Sequence, residues 1–342
     1  MRTTTLGRSG VRVTELAFGA AALGNLYTPV SDQAAADTVT AAWDAGIRTF
    51  DTAPHYGLGL SERRLGAALR GRPRDAYTVS TKVGRLLVPG GPGGNDLANG
   101  FAVPATHRRQ WDFTADGVLR SVEASLERLG LDRVDTVLLH DPDDYVEFAL
   151  KEAYPALERL RAEGVIGAIG AGMNQAEALT RFVRDTDMDV VLLAGRYTLL
   201  EHGALDELLP EAAARGMSVI IGGVLNSGLL ADPRSGATYD YAPAPEPLLD
   251  RALRLKAVCD RHRVPLRAAA LRFPFGHPAV ASVLTGARSA DEVNDTVASL
   301  RRPLPEALWD DLRAEGLLPA HAPVPQPTPT HTPANTPAKE PS

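Results

Sequence analysis

The stretch Gly46-Ile-Arg-Thr-Phe-Asp-Thr-Ala-Pro-His-Tyr-Gly-Leu-Gly-Leu-Ser-Glu-Arg-Arg-Leu65 decides how the chain reads. Residues 47–50 read as a short buried strand, with Asp51 at its C-terminal end. Pro54, Gly57 and Gly59 then turn the chain before a helix expected to open at Ser61, a hydroxyl suited to capping it. A carboxylate leaving a strand tip, a phenol at Tyr56 and a Gly-rich loop are more than a connection needs, although Asp51 capping the loop with Tyr56 packed on it would account for them singly.

The same unit recurs on either side. Upstream, residues 3–6 and 11–13 flank Gly7-Arg-Ser-Gly10 as a small hairpin. Residues 16–19 read as a first buried strand ending at Gly19, and a helix over 31–45 is terminated by Gly46. Downstream, Tyr77-Thr-Val-Ser-Thr-Lys82 is rich in β-branched residues and carries Lys82 at its far end. A helix over 114–129 leads to the strand Val134-Asp-Thr-Val-Leu-Leu-His140, which Asp141-Pro142 breaks. Helices over 148–163, 175–183, 203–214, 247–261, 266–272 and 289–300 then alternate with strands over 165–170, 189–193, 218–221 and 280–284.

Apolar strands separated by amphipathic helices mean parallel strands covered by crossovers. A doubly wound sheet would place Gly-x-Gly-x-x-Gly after its first strand, and Phe18-Gly-Ala-Ala-Ala-Leu-Gly24 does not supply it. The pattern predicts an α/β fold, a (β/α)8 TIM barrel with an N-terminal hairpin and long loops on the C-terminal face. Those loops are 84–112, after the third strand, and 226–246, after the seventh; each follows a strand C-terminus, so both are expected to wall a substrate site. Residues 319–342 are rich in Pro and Thr with almost no large apolar side chains, and are expected to be a disordered tail to a barrel domain of 1–318.

A net charge of −6 without a Lys/Arg cluster argues against nucleic acid as a partner. The single cysteine, Cys259, rules out an internal disulfide framework and suits a reducing compartment, with the thiol in a helix core. No apolar run approaches the roughly 20 residues of a membrane span, and the first residues, Met-Arg-Thr-Thr-Thr-Leu-Gly, lack an apolar signal region. The sequence reads as a soluble, cytoplasmic protein with no membrane partner, and it carries no heptad or edge strand that would fix an oligomeric state.

In a barrel, Asp51, Lys82 and His140 end the second, third and fourth strands, and Tyr56 lies in the loop after the second. Four titratable side chains then meet at one rim, a clustering that marks functional sites. Each has a plain alternative: Asp51 paired with Arg48, Lys82 solvated, His140 capping the turn after it. Taken together, the lysine cation is expected to favour the Tyr56 phenolate and lower its proton affinity. Asp51 would hold Lys82, and His140 would orient a substrate oxygen. Such a set gives or takes a proton at an oxygen while a partner moves a hydride. No metal ligand set is evident.

The run Phe50-Asp-Thr-Ala-x-x-Tyr-Gly-x-Gly-x-Ser-Glu62, the strand end Thr81-Lys82 and Leu138-Leu-His140-Asp-Pro142 closely resemble the aldo-keto reductase superfamily, over nearly the whole chain to about Leu317. The resemblance implies a nicotinamide cofactor extended across the C-terminal face, and Asp51, Tyr56, Lys82 and His140 as a catalytic tetrad with Tyr56 as proton donor or acceptor. Leu193-Ala-Gly-Arg-Tyr-Thr-Leu-Leu-Glu201, Gly170-Ala-Gly-Met-Asn-Gln175 and Gly222-Gly-Val-Leu-Asn-Ser-Gly-Leu-Leu230 are similar to the aldose dehydrogenase branch, which includes L-fucose (D-threo-aldose) and L-galactose 1-dehydrogenases. That implies oxidation of a sugar's C1 hydroxyl to a lactone, with Trp111 and Phe113 as candidates to cover an apolar sugar face beside Tyr56 and His140. An enzyme for another aldehyde, such as pyridoxal or an aromatic aldehyde, is an alternative. A cofactor-sensing binding module, as in channel-associated members, is another, against which the intact tetrad argues.

The resemblance also implies cofactor contacts at Gly19, Asp51, Asn174, Gly222, Leu225, Ser227, Gly286, Arg288 and Glu292. It departs from the family where a tyrosine that stacks on the nicotinamide is replaced by Gly222, and where a glutamine of the sixth strand is replaced by Ala194. Thr296 replaces an asparagine that holds adenine. A carboxylate at Glu292 would repel a ribose 2′-phosphate and accept bonds from free hydroxyls, so NAD is the expected cofactor. Arg288, which could grip that phosphate, keeps NADP possible.

Overall fold

The computed structural model describes residues 1–240 and 242–326. Eight parallel strands close a barrel in chain order: Leu16–Gly19, Thr49–Asp51, Thr78–Val83, Thr136–His140, Ala168–Met173, Val190–Ala194, Ser218–Gly222 and Val280–Gly286. The eighth pairs with the first, Gly286 opposite Gly19, so no strand edge is left open. Most strands are largely apolar because both faces are covered, while the second and third carry Thr49, Asp51, Thr78, Ser80, Thr81 and Lys82 among their apolar residues. Val137, Leu139, Val191, Leu193, Val219 and Ile221 pack outward with the helices. Leu138, Val190, Leu192 and Ile220, the alternate positions, belong to a second cluster that includes Leu6, Val11 and Val13. The N-terminal hairpin, Thr3–Thr5 with Arg12–Thr14, brings those three side chains there and so plugs the end of the barrel remote from the strand tips.

The helices form where spacing and end signals agree. Helix Ala115–Leu129 buries Val118, Val122, Ser125 and Leu129 along one stripe. It is capped by Thr114, whose hydroxyl accepts from Gly117 N at 3.0 Å, and it ends on Gly130 in the left-handed region.

Four readings change. Ser61 does not cap its helix, which runs over Leu60–Leu69 with Gly59 at φ 78° before it. The Ser61 hydroxyl is buried instead, donating to Ala20 O at 2.6 Å and bonding Thr52 Oγ1 at 2.8 Å, so it ties the loop after the second strand to the loop after the first. Residues 84–112, expected as a long loop, form two hairpins, one nested within the other. Arg85–Pro89 pairs with His107–Trp111, and Asn95–Asp96 pairs with Phe101–Pro104. A bridge between Leu26 and Phe101 fastens this insert to the loop after the first strand.

Phe113 is a core residue, 1% exposed, and its ring occupies the space a Cβ on Gly84 would need, 2.1 Å away. It anchors the insert and has no face left for a substrate. Lastly, the chain stays packed beyond 318. Ala322 is buried and its carbonyl accepts from Arg313 at 2.9 Å, while the carbonyl of Pro323 leaves no room for a side chain at Gly276. The remainder of the expected tail, 327–342, lies outside the described residues. Among the described residues no helix is long and apolar enough to cross a membrane. Cys259 is buried in helix Glu246–Arg261, as expected.

Candidate active site

Asp51 is the last residue of the second strand, Lys82 the penultimate residue of the third and His140 the last of the fourth. Adjacent strands put the three at one rim. All are buried, at 3%, 3% and 5% exposure. Lys82 uses each of its three protons: Nζ donates to Asp51 Oδ2 at 2.6 Å, to Thr52 O at 3.0 Å and to the Tyr56 hydroxyl at 3.1 Å. The second carboxylate oxygen of Asp51 accepts from Ser80 Oγ at 2.7 Å. Burial alone would drive the lysine toward neutrality, but the carboxylate and the phenol more than offset it, and the ammonium is held above its ordinary range. Arg48, the other partner open to Asp51, donates instead to Trp43 O and Ile47 O and lies over the Trp43 ring.

Tyr56 is aimed by backbone contact as well as by the rings packed around it. Gly57 has φ 60°, and a Cβ there would lie 2.2 Å from Gly24 O, so the loops after the first and second strands touch through two glycines. Its phenol does not behave as the residue types led one to expect. Desolvation is the largest influence and raises the proton affinity; Lys82 lowers it, and Asp51, which neutralises Lys82, raises it again. The net direction is upward, so Tyr56 rests as a neutral phenol. His140 is neutral too, because burial and then the cations Lys82 and Arg85 hold it well below the ordinary histidine range. One of its ring nitrogens, Nδ1, is buried with no partner among the described residues, and the other lies 3.7 Å from Asp141. A buried nitrogen left open at a rim of strand tips is a place for a ligand oxygen.

Further groups meet here that sequence reasoning did not single out. His55, next to Tyr56, receives a hydrogen bond at Nδ1 from Arg109 Nε at 2.5 Å, and Arg109 Nη2 donates to His55 O at 3.0 Å. Arg109 is itself gripped by both oxygens of Asp96, at 2.8 and 2.6 Å. Arg85 pairs with Asp141 and lies 4.4 Å over the Trp111 ring. Trp111 stacks on Phe113 and is 41% exposed, so it is available to a substrate where Phe113 is not. Phe101 packs its ring against Tyr56 and edge-on to His55. Supporting these, the fully buried Glu62 accepts from Arg128 Nε at 2.5 Å and from Thr81 Oγ1 at 2.9 Å, locking the residue before Lys82.

The rest of the rim is built for close backbone approach. The first, seventh and eighth strands end at Gly19, Gly222 and Gly286. A Cβ on Gly286 would come near only the Gly19 carbonyl, and one on Gly222 would make only ordinary contacts with Leu192 and Ala194, so neither strand tip is crowded. Asn174 is exposed after the fifth strand, while Leu225 is half-buried and Ser227 exposed after the seventh. Arg288 and Glu292 are paired with each other, the Arg288 amide donating to Glu292 Oε2 at 2.9 Å with the side-chain charges 3.7 Å apart. Ser289 caps the helix that follows, as expected.

The aldo/keto reductase family model matches residues 15–315. The chain belongs to the aldo/keto reductase family. Among its relatives, D-threo-aldose 1-dehydrogenase of a Pseudomonas species is 47% identical, across 91% of this chain and 96% of that protein. Pyridoxal 4-dehydrogenase of Microbacterium luteolum is 42% identical, across 92% and 97%. Among solved structures, an aldo-keto reductase of Bacillus halodurans in its holo form superposes with a TM-score of 0.73 at 26% identity, across 94% of this chain and 97% of that one. In this member of the family, the motif residues at 51, 56, 82 and 140 and the insert 84–112 stand on the same barrel face.

Proposed function

We propose that the protein is a nicotinamide-dependent aldose 1-dehydrogenase of the cytoplasm, with Asp51, Tyr56, Lys82 and His140 as its catalytic residues. The observation that carries this reading is the Lys82 ammonium seated between the Asp51 carboxylate and the Tyr56 hydroxyl at the strand tips. It leaves one phenol in contact with a fixed cation, beside a neutral imidazole whose ring centre is 5.8 Å away. The 47% identical D-threo-aldose 1-dehydrogenase supports an aldose as the substrate. In the forward direction the sugar's C1 hydroxyl sits between His140 and Tyr56; the resting phenol first loses its proton to solvent, and the Tyr56 phenolate then takes the hydroxyl proton as C1 becomes a lactone carbonyl. When bound, the cofactor supplies the hydride acceptor.

The residues present suit such a cofactor: Gly19, Gly222 and Gly286 put no side chain at the tips of the first, seventh and eighth strands, and Asn174, Leu225, Ser227 and Arg288 follow the tips of the fifth, seventh and eighth. NAD is the preferred form. The helix that begins after Ser289 carries Asp291 and Glu292 in its first turn, so its positive end is already compensated, and Arg288 is neutralised by Glu292. A 2′-phosphate arriving there meets two carboxylates. Glu292→Gln frees Arg288, and the ratio of kcat/KM for NADP over NAD should rise several-fold; an unchanged ratio would remove this pair from cofactor choice.

A second reading is oxidation of a pyridoxal-like aromatic aldehyde. It is supported by the 42% identical pyridoxal 4-dehydrogenase and by the shelf formed by Trp111 and Tyr145, whose ring centres are 5.5 Å apart. Both readings are tested by supplying NAD with a panel of aldopentoses, aldohexoses, pyridoxal and benzaldehyde and following the reduced nicotinamide. The expected result is efficient turnover of aldoses alone. Pyridoxal turned over at least as well would establish the second reading, and activity with neither class would remove both.

A further inference from the structure

His55 sits between the redox centre and the insert, and no part of the proton chemistry uses it. Its ring lies 6.1 Å from the Tyr56 ring and 5.6 Å from the His140 ring, which are themselves 5.8 Å apart, so the three form a nearly equilateral triangle. The ring is also held edge-on against Phe101 at 5.2 Å.

Its protonation pattern follows from chemistry. Arg109 donates to Nδ1, and Arg85 Nη1 lies 3.5 Å from the same atom. A guanidinium carries only donors, so Nδ1 must present its lone pair and the ring's proton must be on Nε2. Arg109 cannot turn away, because Asp96, 4% exposed, holds both its terminal nitrogens while Nη2 also binds the His55 carbonyl. Burial, followed by the charges of Arg85, Arg109 and Lys82, pushes the imidazole down to about 2, so the ring stays neutral across the physiological range. The result is a neutral N–H donor of fixed orientation, and no described residue accepts from it. His140 and His55 together flank the phenol with two imidazoles, although one suffices to orient the reacting oxygen.

We propose that His55 is a specificity-determining residue: its Nε2–H donates a hydrogen bond to the hydroxyl on the carbon next to the one oxidised, and Asp96 and Arg109 hold it as that donor. The substrate class this selects is a polyhydroxy aldehyde with an oxygen at C2, against simple or 2-deoxy aldehydes. The inference rests on the aldose dehydrogenase reading and refines it.

The test compares D-arabinose with 2-deoxy-D-ribose, which differ only in the C2 hydroxyl, on wild type, His55→Leu and His55→Gln, each checked for an unchanged melting temperature. Wild type should favour D-arabinose in kcat/KM by roughly tenfold, the worth of one such bond. His55→Leu should bring that ratio to about one by losing activity on D-arabinose alone, and His55→Gln, which keeps a donor, should restore part of it. Nitrogen-15 spectra of the wild-type imidazoles should show His55 with its proton on Nε2 from mildly acidic to neutral pH. A His55→Leu enzyme that loses equally on both sugars, or a proton found on Nδ1, overturns the proposal while leaving the aldose reading intact. A wild-type enzyme that oxidises pyridoxal but neither sugar overturns both.

Discussion

Tyr56→Phe should lower turnover by about 10²–10⁴-fold, the range lost with a positioned acid or base, while the protein folds as before and binds nicotinamide as before. The reason is the division of Lys82's hydrogen bonds. Removing the phenol oxygen costs the ammonium one of three acceptors and leaves Asp51 Oδ2 and Thr52 O in place. The fold therefore loses about one ordinary hydrogen bond, on the order of 1 kcal/mol, whereas the reaction loses the atom that exchanges the proton. The pH profile adds a sign. Tyr56 holds its proton more tightly than a free phenol, mainly through desolvation. Oxidation needs the deprotonated form, so its rate should climb with pH through neutrality and beyond, whereas the reverse reduction, which uses the protonated phenol, should stay level across neutrality and fall only at strongly alkaline pH. Steady-state assays with dye-linked or absorbance detection, alongside cofactor titration by fluorescence quenching, check all of this. A Tyr56→Phe enzyme within tenfold of wild type would remove Tyr56 from the proton path.

The second large effect is Lys82→Met. It abolishes turnover and also destabilises the fold, because it strands the Asp51 carboxylate at 3% exposure with Ser80 as its remaining partner. Breaking a buried pair by removing one ion costs about 3–5 kcal/mol, readable as a lower urea midpoint. Adding Asp51→Asn removes the stranded charge, so the double variant should regain a good part of that stability and none of the activity. Equal stability of the single and double variants would mean that the loss on Lys82→Met does not come from a stranded Asp51 charge. The contrast with Tyr56→Phe separates what the pair does for folding from what it does for proton transfer.

The barrel, and the meeting of Asp51, Tyr56, Lys82 and His140 at one rim, were legible because each is written in local pattern. Largely apolar or β-branched strands, helices with end signals and titratable residues at strand tips all lie within a few positions of one another. What escaped was set by contacts distant along the chain. His55 and Arg109 are 54 residues apart, and they meet only because the insert pairs Leu87 with Arg109 and folds back over the barrel mouth. No spacing rule reports that register. Ser61 was misread for the opposite reason: a hydroxyl before a helix suggests a cap, but a buried bond to Ala20 O won it. The direction of the Tyr56 shift depended on a balance of burial and two opposed charges, which residue types alone do not settle. Phe113 and the first residues after 318 were both judged by composition, and both proved to be packed.

The Asp96–Arg109 grip is made wholly within the two hairpins and meets the loop after the second strand at His55, while Phe101 and Arg85 of the same insert touch Tyr56 and Asp141. With recognition running through His55 as proposed, it is carried by a piece of chain separate from the strand tips proposed to move the proton. A lineage could then exchange what it oxidises by rewriting the hairpins over 85–111 without rebuilding those tips.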